Sequence, residues 1–70
     1  MSGAKIIVMN AAMRASKISS VRELSERIGV PYTTLCYKLK HIKAITVRDL
    51  TEWDRVCKFT GDDLRQLVRG

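Results

Sequence analysis

Cysteine and histidine, two of the commonest zinc ligands, are scarce in this 70-residue chain. It has one histidine, His41, and two cysteines, Cys36 and Cys57, which lie 21 positions apart. No metal-binding spacing is present, and a four-ligand zinc site would need two further carboxylates. We therefore predict no metal site and no cofactor. One disulfide is compatible with the cysteine count, but we expect two reduced thiols, with Cys57 a small core residue.

Long apolar runs are also missing. The run from Ile6 to Met9 is far too short to cross a bilayer, and a signal peptide's longer apolar region and small-residue cleavage site are absent. A helix lying on a membrane surface would need one broad apolar face opposite its lysines, whereas the positive charges here cluster around a loop. We expect a cytoplasmic protein that does not bind membranes.

Sequence signatures of catalysis are absent as well. The chain has no glycine-rich phosphate loop, no nucleophile elbow, and no serine or cysteine with a histidine at a recognisable spacing. Asp62 and Asp63 form a carboxylate pair, but they stand at the start of a predicted helix, where negative charge complements the helix dipole. The sequence predicts that the protein is not an enzyme.

Positive charge, in contrast, is abundant and unevenly distributed. Lysine and arginine outnumber the acidic residues 13 to 7, giving a formal net charge of +6. Such a surplus favours a polyanionic partner, because cations that neutralise phosphates release bound counterions. No acidic residue occurs between Glu26 and Asp49, and the basic residues in this window are Arg27, Lys38, Lys40, His41, Lys43 and Arg48. A solvated face on a basic protein is the alternative interpretation.

The first three predicted helices follow from apolar spacing and capping signals. A helix from Ala4 to about Arg14 has the apolar residues Ile7, Val8, Ala11, Ala12 and Met13 at a helical period, although its first apolar residues could also begin a strand. Residues 16–19 form a polar joint. Ser20 with Glu23 is typical of a capping box that starts the second helix. Gly29 ends that helix, and Pro31 is expected at the first position of the third.

Two more helices are predicted after a basic connector at residues 40–45. Thr46 with Asp49 resembles another capping arrangement. An amphipathic helix follows, with Leu50, Trp53, Val56 and Cys57 at steps of three and four residues. We expect Trp53 to anchor the core and Phe59 to close this helix against it. Thr60 and Gly61 break the pattern, and the last short helix has an inward face made of Leu64, Leu67 and Val68.

Residues 20–39 thus predict two short helices around one glycine, the outline of a helix-turn-helix. Leu35 and Leu39 face inward at a spacing of four residues. The remaining surface of the later helix of this pair, which is the third predicted helix of the chain, carries Tyr32, Thr33, Cys36, Tyr37 and Lys40. These side chains can meet base edges. Many helical hairpins share this outline, but the acid-free basic window favours DNA as the partner.

The order of the helices and the placement of their apolar residues resemble the Cro/CI-like (XRE-type) helix-turn-helix repressors of phages and bacteria. The resemblance covers nearly the whole chain. The family's inward positions, turn glycine and small helix-contact residue are matched by Leu24, Ser25, Ile28, Gly29, Val30 and Leu35, and its last two helices by 45–50, Trp53, 56–57 and 61–64. The chain departs at Lys38, where the family commonly has an aliphatic residue, and at Val21, where many relatives have a phosphate-contacting glutamine.

The resemblance implies an all-α fold, a compact lambda-repressor-like bundle of about five short helices in which 1–70 is one helix-turn-helix DNA-binding domain. It implies a transcriptional regulator that binds double-stranded operator DNA through a recognition helix at about 31–39, as a homodimer on a two-fold site. The expected base-contacting residues are Tyr32, Thr33, Thr34, Tyr37 and Lys38. The expected phosphate-contacting residues are Ser20, Arg22, Lys40, His41 and Lys43.

The predicted recognition helix lacks an arginine or glutamine for two-bond recognition of a base, so sequence discrimination would rest on few contacts and on DNA shape. This absence leaves a second hypothesis open. The chain would then be an antirepressor or modulator that uses the same fold to bind a partner repressor protein. Its exposed tyrosines suit that role, because tyrosine is a common anchor in protein interfaces.

Overall fold

The structure, a computed structural model, describes residues 3–69 of the chain. Within this range it has no strand. It consists of five α-helices, α1 (Ala4–Ser16), α2 (Val21–Ile28), α3 (Tyr32–Lys40), α4 (Val47–Cys57) and α5 (Gly61–Arg69), with one 3₁₀ turn at Ile42–Ala44 between α3 and α4. The predicted all-α bundle of five short helices is confirmed, and the first apolar residues belong to a helix.

Helix α1 is the element on which the others assemble. It packs against α3, α4 and α5, and it buries the small side chains Ala4, Val8, Ala11 and Ala12. Small residues on this stripe allow neighbouring helices to approach closely, which suits a domain with so few residues to bury. Met13 was expected on the apolar period of this helix, but it is 47% exposed, because it lies off the buried stripe.

The connection between α1 and α2 differs from the polar joint that its composition predicts. Helix α1 continues to Ser16, whose hydroxyl donates a hydrogen bond of 2.7 Å to the Val56 carbonyl of α4. Lys17 then adopts a left-handed conformation with φ 56°, which ends the helix. The turn directs Ile18 into the core, where it is fully buried. A single apolar residue among polar ones has no periodicity, so the pattern gave no sign of this burial.

Helices α2 and α3 form the predicted pair around Gly29. The Ser20 hydroxyl accepts a hydrogen bond of 3.1 Å from the Glu23 N–H, which is one half of the expected capping box. Gly29 has φ 89°, a left-handed conformation that favours glycine, and its N–H binds the Ser25 carbonyl. Pro31 was predicted to be the first residue of α3, but it lies before the helix. Its ψ of 141° is extended, so α3 begins one residue later, at Tyr32.

Helix α4 provides the largest buried side chain of the core. Trp53 and Cys57 are buried, as predicted, together with Leu24, Leu35 and Leu39 from the α2–α3 pair. The Trp53 indole N–H has no hydrogen-bond partner within the described residues. Phe59 packs partly buried against the core, but α4 ends at Cys57, because Lys58 turns left-handed with φ 51°. Phe59 follows the end of the helix and packs against the core there, in agreement with the sequence prediction.

Helix α5 begins at a capping box that the sequence analysis did not predict. The Asp63 carboxylate accepts the Thr60 N–H at 3.0 Å, and the Asp63 N–H binds the Thr60 hydroxyl at 3.1 Å. The predicted inward face of this helix is correct for Leu67, which is buried, and wrong for Val68, which is 78% exposed. The prediction is also wrong for Leu64, which is 36% exposed and lies four residues before Val68, on the same side of α5.

The burial of Trp53 leads to the first prediction. Trp53→Ala should lower the free energy of unfolding by about 3–5 kcal/mol, because it removes apolar contacts and leaves a cavity. Trp53→Phe should cost less, since it keeps an aromatic ring and removes an N–H that has no partner. Urea unfolding followed by circular dichroism measures both values. The control Ile6→Ala, at an exposed site on α1, should change stability by under about 0.5 kcal/mol. Wild-type stability in Trp53→Ala would contradict a core role.

Candidate nucleic-acid interface

Four predicted base-contacting residues of α3 are exposed. Leu35 and Leu39 are the residues of this helix that are buried in the core. Thr33, Thr34 and Tyr37 lie away from these leucines and Tyr32 lies at the edge beside Leu39; we call the four together the outer face of α3. Tyr32 is 39% exposed and Tyr37 is 57% exposed. Each of the four side chains has a hydroxyl that can both donate and accept a hydrogen bond, as recognition of base edges or phosphates requires.

Lys38, the fifth predicted base-contacting residue, has a partner within the protein. Its ammonium donates a hydrogen bond of 2.6 Å to the Asp49 carboxylate at the start of α4, and both side chains are largely shielded from solvent. This contact gives Lys38 a role within the fold, because an acidic residue neutralises the charge of its half-buried side chain. The two residues are eleven positions apart, and sequence reasoning did not pair them.

Asp49 is the centre of a small hydrogen-bond network. One carboxylate oxygen accepts from both the Lys38 ammonium and the Thr46 N–H, and the Asp49 N–H donates to the Thr46 hydroxyl at 3.0 Å. The predicted cap of α4 is therefore a complete capping box. Burial alone raises the pKa of Asp49, but the hydrogen bonds from Lys38 and Thr46 outweigh it, so the pKa lies below its ordinary value of 3.8. Asp49 thus stays ionised and keeps Lys38 bound.

A contact between α2 and α3 brings two predicted DNA-contacting residues together at the start of α3. The Arg22 guanidinium lies 4.3 Å from the centre of the Tyr32 ring, a cation–π contact at an exposed site. The hydrogen bond of Tyr32 with the Cys36 thiol raises the pKa of the phenol, against a smaller opposite effect of Arg22. The Tyr32 hydroxyl therefore stays protonated near neutral pH. The neighbouring Arg22 guanidinium is exposed, so it can bind an anion.

Ser20, which was expected to contact phosphate, also acts as the cap of α2. It lies just before Val21 and Arg22, at the exposed start of that helix. Its oxygen accepts from the Glu23 N–H, so the hydroxyl proton remains to be donated. A helix N-terminus attracts anions through its N–H groups and dipole, so the start of α2 adds to the positive potential beside Arg22.

The predicted cationic segment at the end of α3 is exposed as a group. Lys40, His41 and Lys43 all lie at the surface, and the His41 ring is 4.5 Å from the Tyr37 ring, centre to centre. Lys5 of α1 lines a small cleft of about 70 Å³ together with Tyr32, Cys36 and Lys40. Sequence reasoning missed Lys5, because only the packing of α1 against α3 brings this charge beside the outer face.

The described part of the chain offers neither a metal site nor a helix that could span a membrane. No group of three or more histidine, cysteine, aspartate or glutamate side chains in residues 3–69 is arranged to hold a metal ion, and Cys36 and Cys57 are free thiols. Within the same range, every helix is too short or too polar to span a membrane.

Comparison of the chain with protein-family models, with curated proteins and with solved structures finds no match.

The Lys38–Asp49 pair leads to the second prediction. Lys38→Met should lower the free energy of unfolding by about 1–3 kcal/mol near neutral pH, because it leaves a shielded carboxylate without its cation. Lys40→Met, at an exposed site on the same helix, is the matched control and should be close to neutral. Urea unfolding at several pH values measures the effect. Equal stability of the two variants would show that the ion pair adds nothing to the fold.

The same pair also predicts a pH dependence. The folded pKa of Asp49 is below its ordinary value of 3.8, so its stabilising contribution is complete above that pH and is lost as the pH falls through the folded pKa. The wild-type protein should therefore lose stability on acidification below about pH 4 more steeply than Asp49→Asn. Hydrogen bonds from Thr60, and a smaller effect of Arg14, lower the pKa of Asp63 too, but both proteins share that contribution. Identical acid limbs would contradict the assignment.

Proposed function

We propose that this protein is a sequence-specific DNA-binding transcriptional regulator that places the outer face of α3 in the major groove. One observation carries the proposal. Four exposed side chains of α3 carry hydroxyl groups, with Arg22 near the start of the helix, Lys40 at its last residue and Lys43 just beyond it. Neutral hydrogen-bonding groups between flanking cations are suited to a base-lined groove between two phosphate backbones.

The proposed roles follow the chemistry of each group. Thr33 and Thr34 can hydrogen-bond a base edge or touch a thymine methyl, and Tyr32 and Tyr37 can reach a base or a phosphate. Ser20, Arg22, Lys40, His41 and Lys43 would bind phosphates and set the position of α3. Lys38 would act through Asp49, by fixing the end of α3 against α4, and not through a base.

The wider biological role is part of the same proposal. The chain would be a cytoplasmic Cro/CI-like repressor of a phage or mobile element, and it would act by occluding promoter DNA as a homodimer. Two copies on a two-fold site compensate for the modest affinity of one short helix. The resemblance in sequence and the order of five short helices around the α2–α3 pair support this assignment.

A second candidate function rests on the exposure of Tyr32 and Tyr37. Large aromatic side chains at the surface are common anchors of protein interfaces. In this alternative, the outer face of α3 binds a partner repressor and the protein is an antirepressor or modulator. Binding to random-sequence duplex DNA at low salt separates the two functions. A protein that binds no duplex there but co-purifies with a larger repressor would have the second function.

The next prediction concerns removal of the cations at and after the end of α3. Lys40→Ala/Lys43→Ala should weaken binding to all duplexes, because phosphate contacts are independent of sequence, and should reduce the slope of log affinity against log salt by about two. Fluorescence anisotropy across a salt series measures both effects. The control Arg55→Ala/Lys58→Asn removes two exposed cations at the opposite end of α4 from Asp49, and asparagine tolerates the left-handed backbone at Lys58.

The control variant should bind DNA with nearly the wild-type salt slope. Both double variants carry the same net charge, so a general electrostatic effect would weaken them equally. Equal slopes for the two would contradict the proposed position of the phosphate backbone. A lysine variant that binds as tightly as the wild-type protein would contradict it as well.

A separate prediction concerns base recognition by Thr33. Thr33→Ala should reduce discrimination between the preferred duplex and a singly mismatched one by about 1 kcal/mol, while the salt slope stays unchanged. Selection from a pool of random duplexes supplies the preferred sequence, and competition binding supplies the discrimination. Thr51→Ala, at an exposed threonine of α4 that bonds the Val47 carbonyl, is the control. A loss of affinity shared by all sequences would assign Thr33 to phosphate and not to a base.

A further inference from the structure

A narrow cleft of about 70 Å³ lies between α1 and α3, beside the start of α2. Its walls come from three helices and consist of Lys5, Val21, Tyr32, Cys36, Leu39 and Lys40. Val21 and Leu39 are apolar, and the other four side chains all end in groups that can donate a hydrogen bond. Among the described residues, no carboxylate lines this space. We call it the α1–α3 cleft.

The volume of the α1–α3 cleft limits what it can hold. A water molecule takes up about 30 Å³ of the liquid, so about 70 Å³ accommodates a group of only a few heavy atoms. A nucleobase or a sugar ring is larger than this. A phosphate group, with its compact tetrahedron of oxygens, is of the right order. Its oxygens accept the hydrogen bonds that the lining side chains can donate.

Neither lysine of the cleft has an ion-pair partner among residues 3–69. The ion pairs in this range are Arg14–Asp63, Lys38–Asp49 and Arg65–Asp62. Lys5 and Lys40 are both exposed, and they line one cleft without a counter-charge from the fold. Two ammonium groups so placed concentrate positive potential in the cleft. An anion from outside the chain would neutralise it.

Lys5 stands at a position where a lysine opposes folding. It lies in the first turn of α1, and that turn contains no acidic residue. The positive end of the helix dipole repels a cation there, so Lys5 lowers the stability of α1. Within the described residues it has no ion pair that offsets this effect. Its charge therefore becomes favourable only when an anion binds beside it.

We propose that the α1–α3 cleft is a phosphate-binding site, in which Lys5 and Lys40 hold one phosphodiester of a bound nucleic acid. The choice of a nucleic acid over a free phosphate compound rests on the proposed function. The cleft follows the edge of α3 from Tyr32 to Lys40, roughly 12 Å along the helix axis. Arg22, 4.3 Å from the Tyr32 ring, extends the row of cations further. Such a row suits a chain of phosphates, whereas one free phosphate would need only the cleft.

The Tyr32 hydroxyl supplies a neutral donor to the same site. It is hydrogen-bonded to the Cys36 thiol, and sulfur is a weak acceptor. A phosphate oxygen is a stronger acceptor, so the phenolic hydrogen can turn to it when a phosphate enters the cleft. The phosphate thus meets two ammonium groups and one hydroxyl from two different helices. Helix α1, which organises the core, would then also contact the nucleic acid.

The first test is binding of the full chain to a random-sequence duplex, measured by fluorescence anisotropy across a salt series. Lys5→Ala should weaken binding about tenfold at low salt and lower the slope of log affinity against log salt by about one. Lys17→Asn is the matched control. It removes the same charge at the other end of α1, and asparagine tolerates the left-handed backbone there. Equal affinities and slopes for the two variants would overturn the proposal.

A charge reversal separates binding from folding. Glutamate suits the start of a helix, so Lys5→Glu should unfold at a higher urea concentration than the wild-type protein. It should nevertheless bind DNA more weakly than Lys5→Ala, because it repels the phosphate. A purely structural role for Lys5 predicts a loss of stability instead. A Lys5→Glu chain that is less stable than the wild-type protein, or that binds DNA as tightly, would overturn the proposal.

A double-variant cycle tests whether Lys5 and Lys40 hold the same phosphate. If they do, the second substitution has less binding left to remove. Lys5→Ala/Lys40→Ala should then weaken binding by less than the product of the two single effects. Lys5→Ala/Lys43→Ala is the control and should give the full product, because Lys43 is not among the cleft residues. A full product for both pairs would overturn the shared phosphate.

Titration with inorganic phosphate at constant ionic strength distinguishes the two sources of the ligand. The NMR signals of the Lys5 and Cys36 backbone amides should shift with phosphate in the wild-type protein and not in Lys5→Glu. No shift in the wild-type protein and no effect of Lys5→Ala on DNA binding would overturn the site altogether. Phosphate shifts together with wild-type DNA affinity in Lys5→Ala would assign the cleft to a free phosphate compound and overturn the nucleic-acid assignment.

The outcome is separable from that of the proposed function. If Lys5→Ala and the wild-type protein bind duplex DNA equally, the proposed function stands and the phosphodiester in the cleft is ruled out. If the wild-type protein binds no duplex but its cleft signals shift with inorganic phosphate, the phosphate site stands and the proposed function fails.

Discussion

The arrangement of α3 depends on the hydrogen bonds that the Asp49 carboxylate accepts. A shielded carboxylate is costly unless its oxygens are hydrogen-bonded, and here one oxygen accepts from the backbone of Thr46 and from the side chain of Lys38. The first bond starts α4, and the second attaches the last turn of α3 to that start. The same charge therefore defines a helix and joins two helices. The Lys38–Asp49 contact fixes α3 against α4, and Leu35 and Leu39 fix it against the core. The exposed hydroxyls of α3 therefore have a fixed orientation.

How well the sequence predicts a feature of this chain depends on how far apart in sequence the interacting residues lie. Local signals were enough for α2, the turn at Gly29 and the cap of α4, because a capping residue, a left-handed glycine and an apolar period act over three or four residues. The burial of Trp53 was predicted for the same reason. Contacts between helices were not predictable: Lys38 and Asp49 pair across the 3₁₀ turn, and Lys5 reaches the α3 region from another helix. Val68 was misassigned because the exposed side of α5 depends on which helix α5 packs against.

The small size of the domain explains why apolar surface remains outside its core. Helix α1 supplies mostly alanine and valine to the interior, so α4 and α5 approach it closely, but they diverge from each other and leave a cleft. A chain of 70 residues has too few large side chains to fill both the space around α1 and the space between α4 and α5. That cleft, of about 410 Å³, is lined mainly by apolar side chains, among them Leu50 and Leu67.

The chemistry of α3 makes a second copy valuable to the proposed function. Hydroxyl groups discriminate weakly between bases, because each can donate or accept, whereas the planar side chains that form two bonds to one base are absent from the outer face. One copy would therefore bind many sequences with similar free energy. Two copies joined rigidly add their small preferences, and the second site is bound at a high effective concentration only where its spacing and orientation fit. Specificity in such a complex would be a property of the fixed distance and orientation of its two α3 helices.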